Sequence, residues 1–273
     1  MCMKQILSSL LCLSLSASSF RSSGRGTYST CRLAQNLHMA ATIPSSSTAL
    51  PLLRHLNDHM DIILASGSPR RKELLTLMGI HNFRVLKSDF AEDLDQSKYP
   101  LAASYCLDTA VAKAADVVSV MEGAGGYLPL GTLLIGADTI VEINGEILEK
   151  PKNTEDAHRM LSLMSGQVHT VHTAVVIFGN GPRQAGSVGG IAQLVKQTSF
   201  VESTSVKFVD LSLTDKEAYV ESREGFDKAG GYGIQGLGGQ MVEKIDGCYF
   251  NVMGLPLSRL SKALAALQSS NLI

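Results

Sequence analysis

The chain has 273 residues, enough for one large domain or two small ones, and its 45% hydrophobic and 18% charged content is that of an ordinary globular protein. Disorder, collagen and coiled coil are thereby excluded as its overall class. With 24 basic against 25 acidic side chains the net charge is −1, so no overall field holds a polyanion, nucleic acid is not an expected partner, and any anion site must be local. The longest apolar run, Ile6 to Leu15 with serines inside it, is far shorter than the roughly 20 residues of a membrane-spanning helix, so no membrane span is expected. Cys2, Cys12 and Cys31 lie near the start, and Cys106 and Cys248 in the body share no metal-ligand spacing. The expectation is a reducing compartment without a disulfide framework.

Residues 1–58 read as a separate extension. No Asp or Glu precedes Asp58, while Lys4, Arg21, Arg25, Arg32 and Arg54 are scattered among a dozen serines, which is transit-peptide composition. Three readings stay open: a plastid or mitochondrial leader, an unused or disordered tail of a cytoplasmic protein with Met39 as an internal start, and a secretory signal. The folded domain is expected over 59–273.

From there strand and helix signals alternate. Asp61–Ala65 is an apolar strand, and Ser66-Gly67-Ser68-Pro69 leads into a helix with Ser68 at its N-cap and Pro69 at its first position. A second helix is predicted from about Leu101 to Val120 and a buried strand at Thr132–Gly136. Ile140–Ile143 and Glu146–Leu148 flank Asn144-Gly145, a strong hairpin signal. Asn153 or Thr154 caps a helix that Gly166 stops, and a long strand covers Val168–Phe178. Gly179–Gln193 reads as a hairpin tip or insertion without chemistry. A strand at Ser199–Phe208, a capping box at Thr214-x-x-Glu217, a hairpin of Met241–Ile245 with Cys248–Val252, and a last amphipathic helix opened by Pro256 complete the chain. The order specifies a mixed α/β protein with a mixed sheet.

Three segments carry candidate chemistry. At Ser66–Lys72 a strand-to-helix turn offers free backbone N–H groups, and Arg70, Arg71 and Lys72 crowd the positive end of the helix dipole, where cations are disfavoured by roughly 0.3–1 kcal/mol each. Either this is an ordinary capped helix with solvated cations or it is a phosphate site. Asp138, after an apolar strand, is a turn residue or a carboxylate placed to take a proton or bind a cation. Lys150 and Lys152 lie at the far end of the same hairpin. The stretch Glu224–Gly239 has seven glycines in sixteen residues. Its formal dinucleotide fingerprint, Gly231-x-Gly233-x-x-Gly236, is rejected because no apolar strand precedes it. Instead the glycines are expected to let backbone approach a ligand, with Asp227, Lys228 and Gln235 as polar tips. His169 and His172, three apart on a strand, face opposite ways and read as structural. No local signature supports a serine or cysteine nucleophile.

Taken together, LASGSPRRKELL (64–75), SDFAEDL (88–94), Ala112-Lys113-Ala114, GADTIV (136–141), LEKP (148–151), MLSLMSGQVH (160–169), DKAGGYGIQGLGG (227–239) and NVMGLPL (251–257) resemble, in order, the Maf family of nucleoside triphosphate pyrophosphatases. The resemblance implies an α/β fold shared with inosine triphosphate pyrophosphatases, a mixed sheet divided between two lobes with the nucleotide in the cleft. It implies hydrolysis of a nucleoside triphosphate to the monophosphate and pyrophosphate with a divalent metal, Mg²⁺ or Mn²⁺, and it suggests a homodimer. The family's proton acceptor falls on Asp138, with Glu92 assisting at the metal. Ser66, Arg71, Lys113 and Lys150 would hold the triphosphate. Arg70, Thr139 and Gln235 are similar to the dTTP/UTP branch, and a Gln amide, donor and acceptor at once, suits a pyrimidine edge. Two rival activities are a nucleotide-binding regulator of division with little turnover and a purine-directed pyrophosphatase.

Overall fold

The structure is a computed structural model that describes residues 48–121, 128–129, 131–180, 195–270 and 272–273. A 3₁₀ turn at Leu50–Leu52 runs into helix α1 (Leu53–His59), upstream of the expected start of folding at about His59. Ala49, Leu52 and Leu56 are all buried in the same core as Ile62 and Leu64. Their spacing of three and four residues is one helical stripe, and the acid-free, serine-rich composition around it disguised that stripe.

Strand β1 (Asp61–Ala65) is followed by α2 (Pro69–Leu77), with Ser68 at the N-cap and Pro69 leading as expected. Then come β2 (Phe83–Val85) and α3 (Ala102–Met121). Strand β3 (Thr132–Ile143) and the short β4 (Glu146–Leu148) turn through Asn144 and Gly145, both at positive φ, the backbone that a two-residue turn of this hand requires. Helix α4 (Thr154–Met164) is capped by Asn153, whose side chain accepts from the Asp156 N–H. Strands β5 (Val168–Asn180) and β6 (Val195–Phe208) form a long antiparallel pair; of the Gly179–Gln193 segment, residues 181–193 lie outside the described residues. Helix α5 (Leu213–Glu221), strand β7 (Val242–Asp246), helix α6 (Tyr249–Met253) and helix α7 (Leu257–Ser269) close the chain.

The seven strands form one mixed sheet in the order β2-β1-β3-β5-β6-β7, with β4 added to β3. β1 is parallel to both β2 and β3, and the other pairings are antiparallel. β3 is a single strand where two shorter ones were expected, because β5 pairs with it continuously from Thr132 to Glu142. Asp138 therefore lies inside a strand and not at its end. On its other edge β3 pairs with β1 only as far as Gly136 and with β4 only from Val141, so residues 137–140 form a notch. The core has three parts: on one face of the sheet α1, α2 and α7 pack around Leu74, Leu133 and Leu260, on the other α3 packs around Tyr105, Leu134 and Val176, and α4 and α5 enclose Val141, Met160, Phe208 and Tyr219.

Two further expectations are corrected. Residues 248–252 do not pair with 241–245: β7 takes β6 as its partner, and after Gly247 at φ +130° the chain turns into α6. The capping box sits two residues earlier than expected, with Ser212 and Asp215 exchanging side-chain and backbone hydrogen bonds. His169 and His172 do face opposite ways. His169 Nε2 bonds the Tyr232 hydroxyl (2.8 Å), and His172 bonds Ser203 and Glu142.

Candidate active site

In an open sheet, ligands bind beyond the carboxyl end of a strand whose neighbours are reached in opposite directions along the sheet. β1 is such a strand, since the chain moves outward to β2 and then back across to β3. Pairing ends at Ala65 opposite Gly136, so Ser66 and Asp138 emerge together at the notch. Here opens a cavity of about 770 Å³, within the usual size range of ligand sites.

Strand alternation decides what each β3 residue meets. Asp138 is on the α3 face, where its Oδ1 accepts from Lys113 Nζ at 2.7 Å. Gly136, two residues earlier on that face, lets α3 approach, because a Cβ there would stand 2.7 Å from the Ala114 methyl. Thr139 is on the opposite face, against Arg71 of α2. The Asp138 and Lys113 side chains are only 8% and 13% exposed, and Lys113 also contacts Glu92 Oε2 at 2.8 Å. One ammonium thus bridges two carboxylates. Lys150 Nζ stands 3.7 Å from the other Glu92 oxygen, at ion-pair distance. Partial burial opposes ionisation of Glu92, but Lys113, Lys150 and Arg71 outweigh it and hold its carboxyl below the ordinary range. Glu92 also sits at φ +53°, an uncommon backbone for a residue with a side chain.

Arg71 was expected to hold a ligand anion. It is 9% exposed and is bonded on all sides by the protein: Nε donates to the Gly254 carbonyl (2.9 Å), Nη1 to Ser66 Oγ (3.0 Å) and the Ala137 carbonyl (2.8 Å), and Nη2 to Thr139 Oγ1 (2.9 Å). With four of the five N–H groups of a guanidinium engaged, Arg71 is a strut that fixes Ser66 and Thr139. Burial lowers its pKa, and the charge of Asp138 opposes that shift. Arg70, by contrast, lies at the cavity and pairs with Asp227 (3.1 Å) across the cleft. Cys106 lies behind Asp138, with its thiol near the Asp138 and His172 carbonyls. Burial first, and then the Asp138 charge, push that thiol well up, away from the thiolate that a nucleophile requires.

Of the residues singled out from the sequence, Ser66, Arg70, Arg71, Glu92, Lys113, Asp138, Thr139, Lys150, Asp227, Lys228 and Gln235 line this one cavity; Lys72 and Lys152 do not. Glu92 and Asp138 are two hard oxygen donors side by side. Among the described residues no group of three His, Cys, Asp or Glu could hold an ion unaided. Magnesium is commonly bound by one or two carboxylates together with substrate phosphates, so the pair fits a cation shared with a phosphate ligand.

Sequence reasoning missed Lys87, Glu149 and Glu224, which also line the cavity. Glu149 accepts from the buried Tyr105 hydroxyl at 2.6 Å. The signal for Glu224 was present but attributed elsewhere: the glycine stretch approaches this carboxylate, with a Cβ on Gly236 falling 2.2 Å from its Oε2.

Residues 61–267 match the profile of the family described as Maf-like protein. A human protein described as a probable bifunctional dTTP/UTP pyrophosphatase/methyltransferase protein is 42% identical over 210 residues, covering 77% of this chain and 32% of its own length, so this chain spans about a third of it. Proteins described as dTTP/UTP pyrophosphatase are similar over nearly their whole length. That of Clostridium perfringens (strain SM101 / Type A) is 40% identical over 205 residues, 75% of this chain and 96% of its own. That of Bacillus thuringiensis subsp. konkukian (strain 97-27) is 40% identical over 203 residues, 74% and 93%. Motif order, the match over three quarters of the chain and the gathering of those motifs around one cleft lead to a single assignment: the chain belongs to the Maf-like protein family.

Proposed function

We propose that the protein is a nucleoside triphosphate pyrophosphatase acting on dTTP and UTP, releasing the nucleoside monophosphate and pyrophosphate. The observation that carries this reading is the convergence of the Ser66–Arg71 turn, Asp138 with Lys113 and Glu92, and the Gln235 loop on one cavity. The relatives that match along nearly their full length bear the same activity in their names.

Water attacks the α-phosphorus, its proton passes to the Asp138 carboxylate, and the bond to the bridging oxygen breaks as pyrophosphate leaves. The charge that builds on the leaving group is met by Arg70, Lys150 and the backbone N–H groups at the start of α2, so positioning and electrostatics carry the rate. Lys113, bonded to both Asp138 and Glu92, holds the proton acceptor aimed into the cleft. A divalent cation, Mg²⁺ or Mn²⁺, would be held by Glu92 and Asp138 and would supply Lewis-acid neutralisation of the phosphate oxygens. Arg71 acts behind this layer by fixing Ser66 and Thr139. Gln235 reads the base in this proposal, a role supported by its exposure at the cavity.

The deciding experiment is Asp138→Asn in the purified protein. Turnover of dTTP should fall by roughly 10²–10⁴-fold, the usual contribution of a general base. Nucleotide binding, followed by calorimetry, should remain. Wild-type turnover in this variant would remove Asp138 as the proton acceptor and the mechanism with it.

A further inference from the structure

The loop that carries Gln235 is held by one carboxylate. Glu224 Oε2 accepts from the Leu237 N–H at 2.8 Å, and Oε1 accepts from the Gly238 N–H at 3.1 Å. The Tyr219 hydroxyl donates to Glu224 Oε1 at 3.1 Å and accepts from the Gly233 N–H at 3.1 Å. Because an ionised carboxylate only accepts, the direction of this relay is fixed: Gly233 N–H to Tyr219, and Tyr219 to Glu224. Burial disfavours the charged form of Glu224, but the Gly238 and Leu237 amides and the Tyr219 hydroxyl more than offset this, and its carboxyl titrates below the usual range. Both ends of the six residues 233–238 are thereby tied to one anion, with Gln235 in the middle. Successive amides curled around an anion form the kind of nest that elsewhere binds phosphate. Here a protein carboxylate occupies it, and Gly236 has no side chain because one would collide with Glu224 Oε2.

We infer that Glu224, through Tyr219 and the 233–238 backbone, is the positioning residue for base selection: it sets where the Gln235 amide stands in the cleft and so decides between pyrimidine and purine triphosphates. This rests on the proposed reading of Gln235 as the residue that meets the base. Glu224 lines the cavity, but both of its carboxylate oxygens are engaged by these donors, so it acts through the loop. A merely structural glutamate would lower activity on every substrate alike, whereas a positioning one changes the ratio between them.

The test compares kcat/KM for dTTP with that for GTP in the wild type, Gln235→Ala, Glu224→Gln and the double variant. Glu224→Gln keeps the shape and loses the charge that gathers three donors. Its dTTP preference should fall roughly tenfold, the scale of a hydrogen bond to a charged group. In the Gln235→Ala background the same change should leave the ratio where Gln235→Ala alone put it, because the two act as one unit. Should Glu224→Gln not fold, Tyr219→Phe, which removes only the bridging hydroxyl, carries the same expectation with a smaller shift. If Gln235→Ala collapses the preference while the Glu224 and Tyr219 variants retain it, the positioning role is overturned and the reading of Gln235 stands. If Gln235→Ala itself leaves the ratio untouched, the base-reading role fails first and the inference goes with it.

Discussion

A buried guanidinium is costly unless its donors are satisfied, and Arg71 shows what that satisfaction achieves. Its bond to Thr139 Oγ1 starts a relay: Thr139 and Thr173 share a hydrogen bond of 3.0 Å, and Thr173 donates to the Asn251 carbonyl at 3.0 Å. Since Thr173 commits its hydrogen to Asn251, the Thr139 hydroxyl must donate to Thr173, and its orientation is set. One arginine thus ties α2, β3, β5 and the α6–α7 turn together beneath the cleft. A lysine has three donors on a single point and cannot reach four acceptors in different directions. Arg71→Lys should therefore lower stability by about 3 kcal/mol, because it keeps the buried charge but leaves several of its buried acceptors without a donor. Urea unfolding measures this, and an unchanged midpoint would show that Arg71 is not a strut. Nothing in SPRR distinguishes the strut from the cavity-facing cation beside it. Helical spacing sends Arg70 and Arg71 in different directions, but which of the two faces inward depends on Ala137 and Gly254, distant in sequence.

At the scale of the element, α3 and β3 bring Lys113 to Asp138 because Gly136 leaves room for them. A Cβ on Gly136 would lie 2.7 Å from Ala114 Cβ and 3.0 Å from Val176 Cγ1. Gly136→Ala should push α3 outward, costing roughly 1–3 kcal/mol as overpacking does. Because Lys113 precedes Ala114, turnover should fall along with the melting temperature; a variant with a lowered melting temperature and full turnover would separate packing from the site. Elements with strong local rules were legible in the sequence, as at Ser68-Pro69, Asn144-Gly145 and Asn153. Elements decided by a distant partner were not. Residues 248–252 have enough apolar content for a strand, but β7 finds its partner in β6, and Asn251 instead donates to the Val171 carbonyl and to Thr204 Oγ1. The glycines of 230–239 were read as facing a ligand, whereas several are required by Glu224, Tyr219, Val141 and Pro151.

At the scale of the whole molecule, Ala49, Leu52 and Leu56, ahead of His59, belong to the core. Leu52 and Leu56 are 2% and 0% exposed, and the Ala49 N–H donates to Ser261 of α7 at 2.7 Å. Burial of a leucine is worth roughly 1.5–3 kcal/mol, so a protein starting at His59 should be less stable by about 3–6 kcal/mol than one starting at Thr48. Denaturant titration of the two truncations checks this, and equal stabilities would remove α1 from the core. Activity measured on the shorter form would confuse lost folding with lost chemistry.

The notch at 137–140 has a consequence beyond catalysis. A length of strand without a neighbour invites a strand from another chain, and natural proteins guard such backbone with charge, covering segments or shortness. This one is four residues long, lies at the bottom of a cleft walled by Arg70, Lys113, Glu92 and Lys150, and has one of its carbonyls, that of Ala137, already taken by Arg71. The charges proposed to receive a triphosphate thus also guard this backbone, and substitutions that neutralise the cleft should raise the tendency to aggregate alongside their loss of turnover.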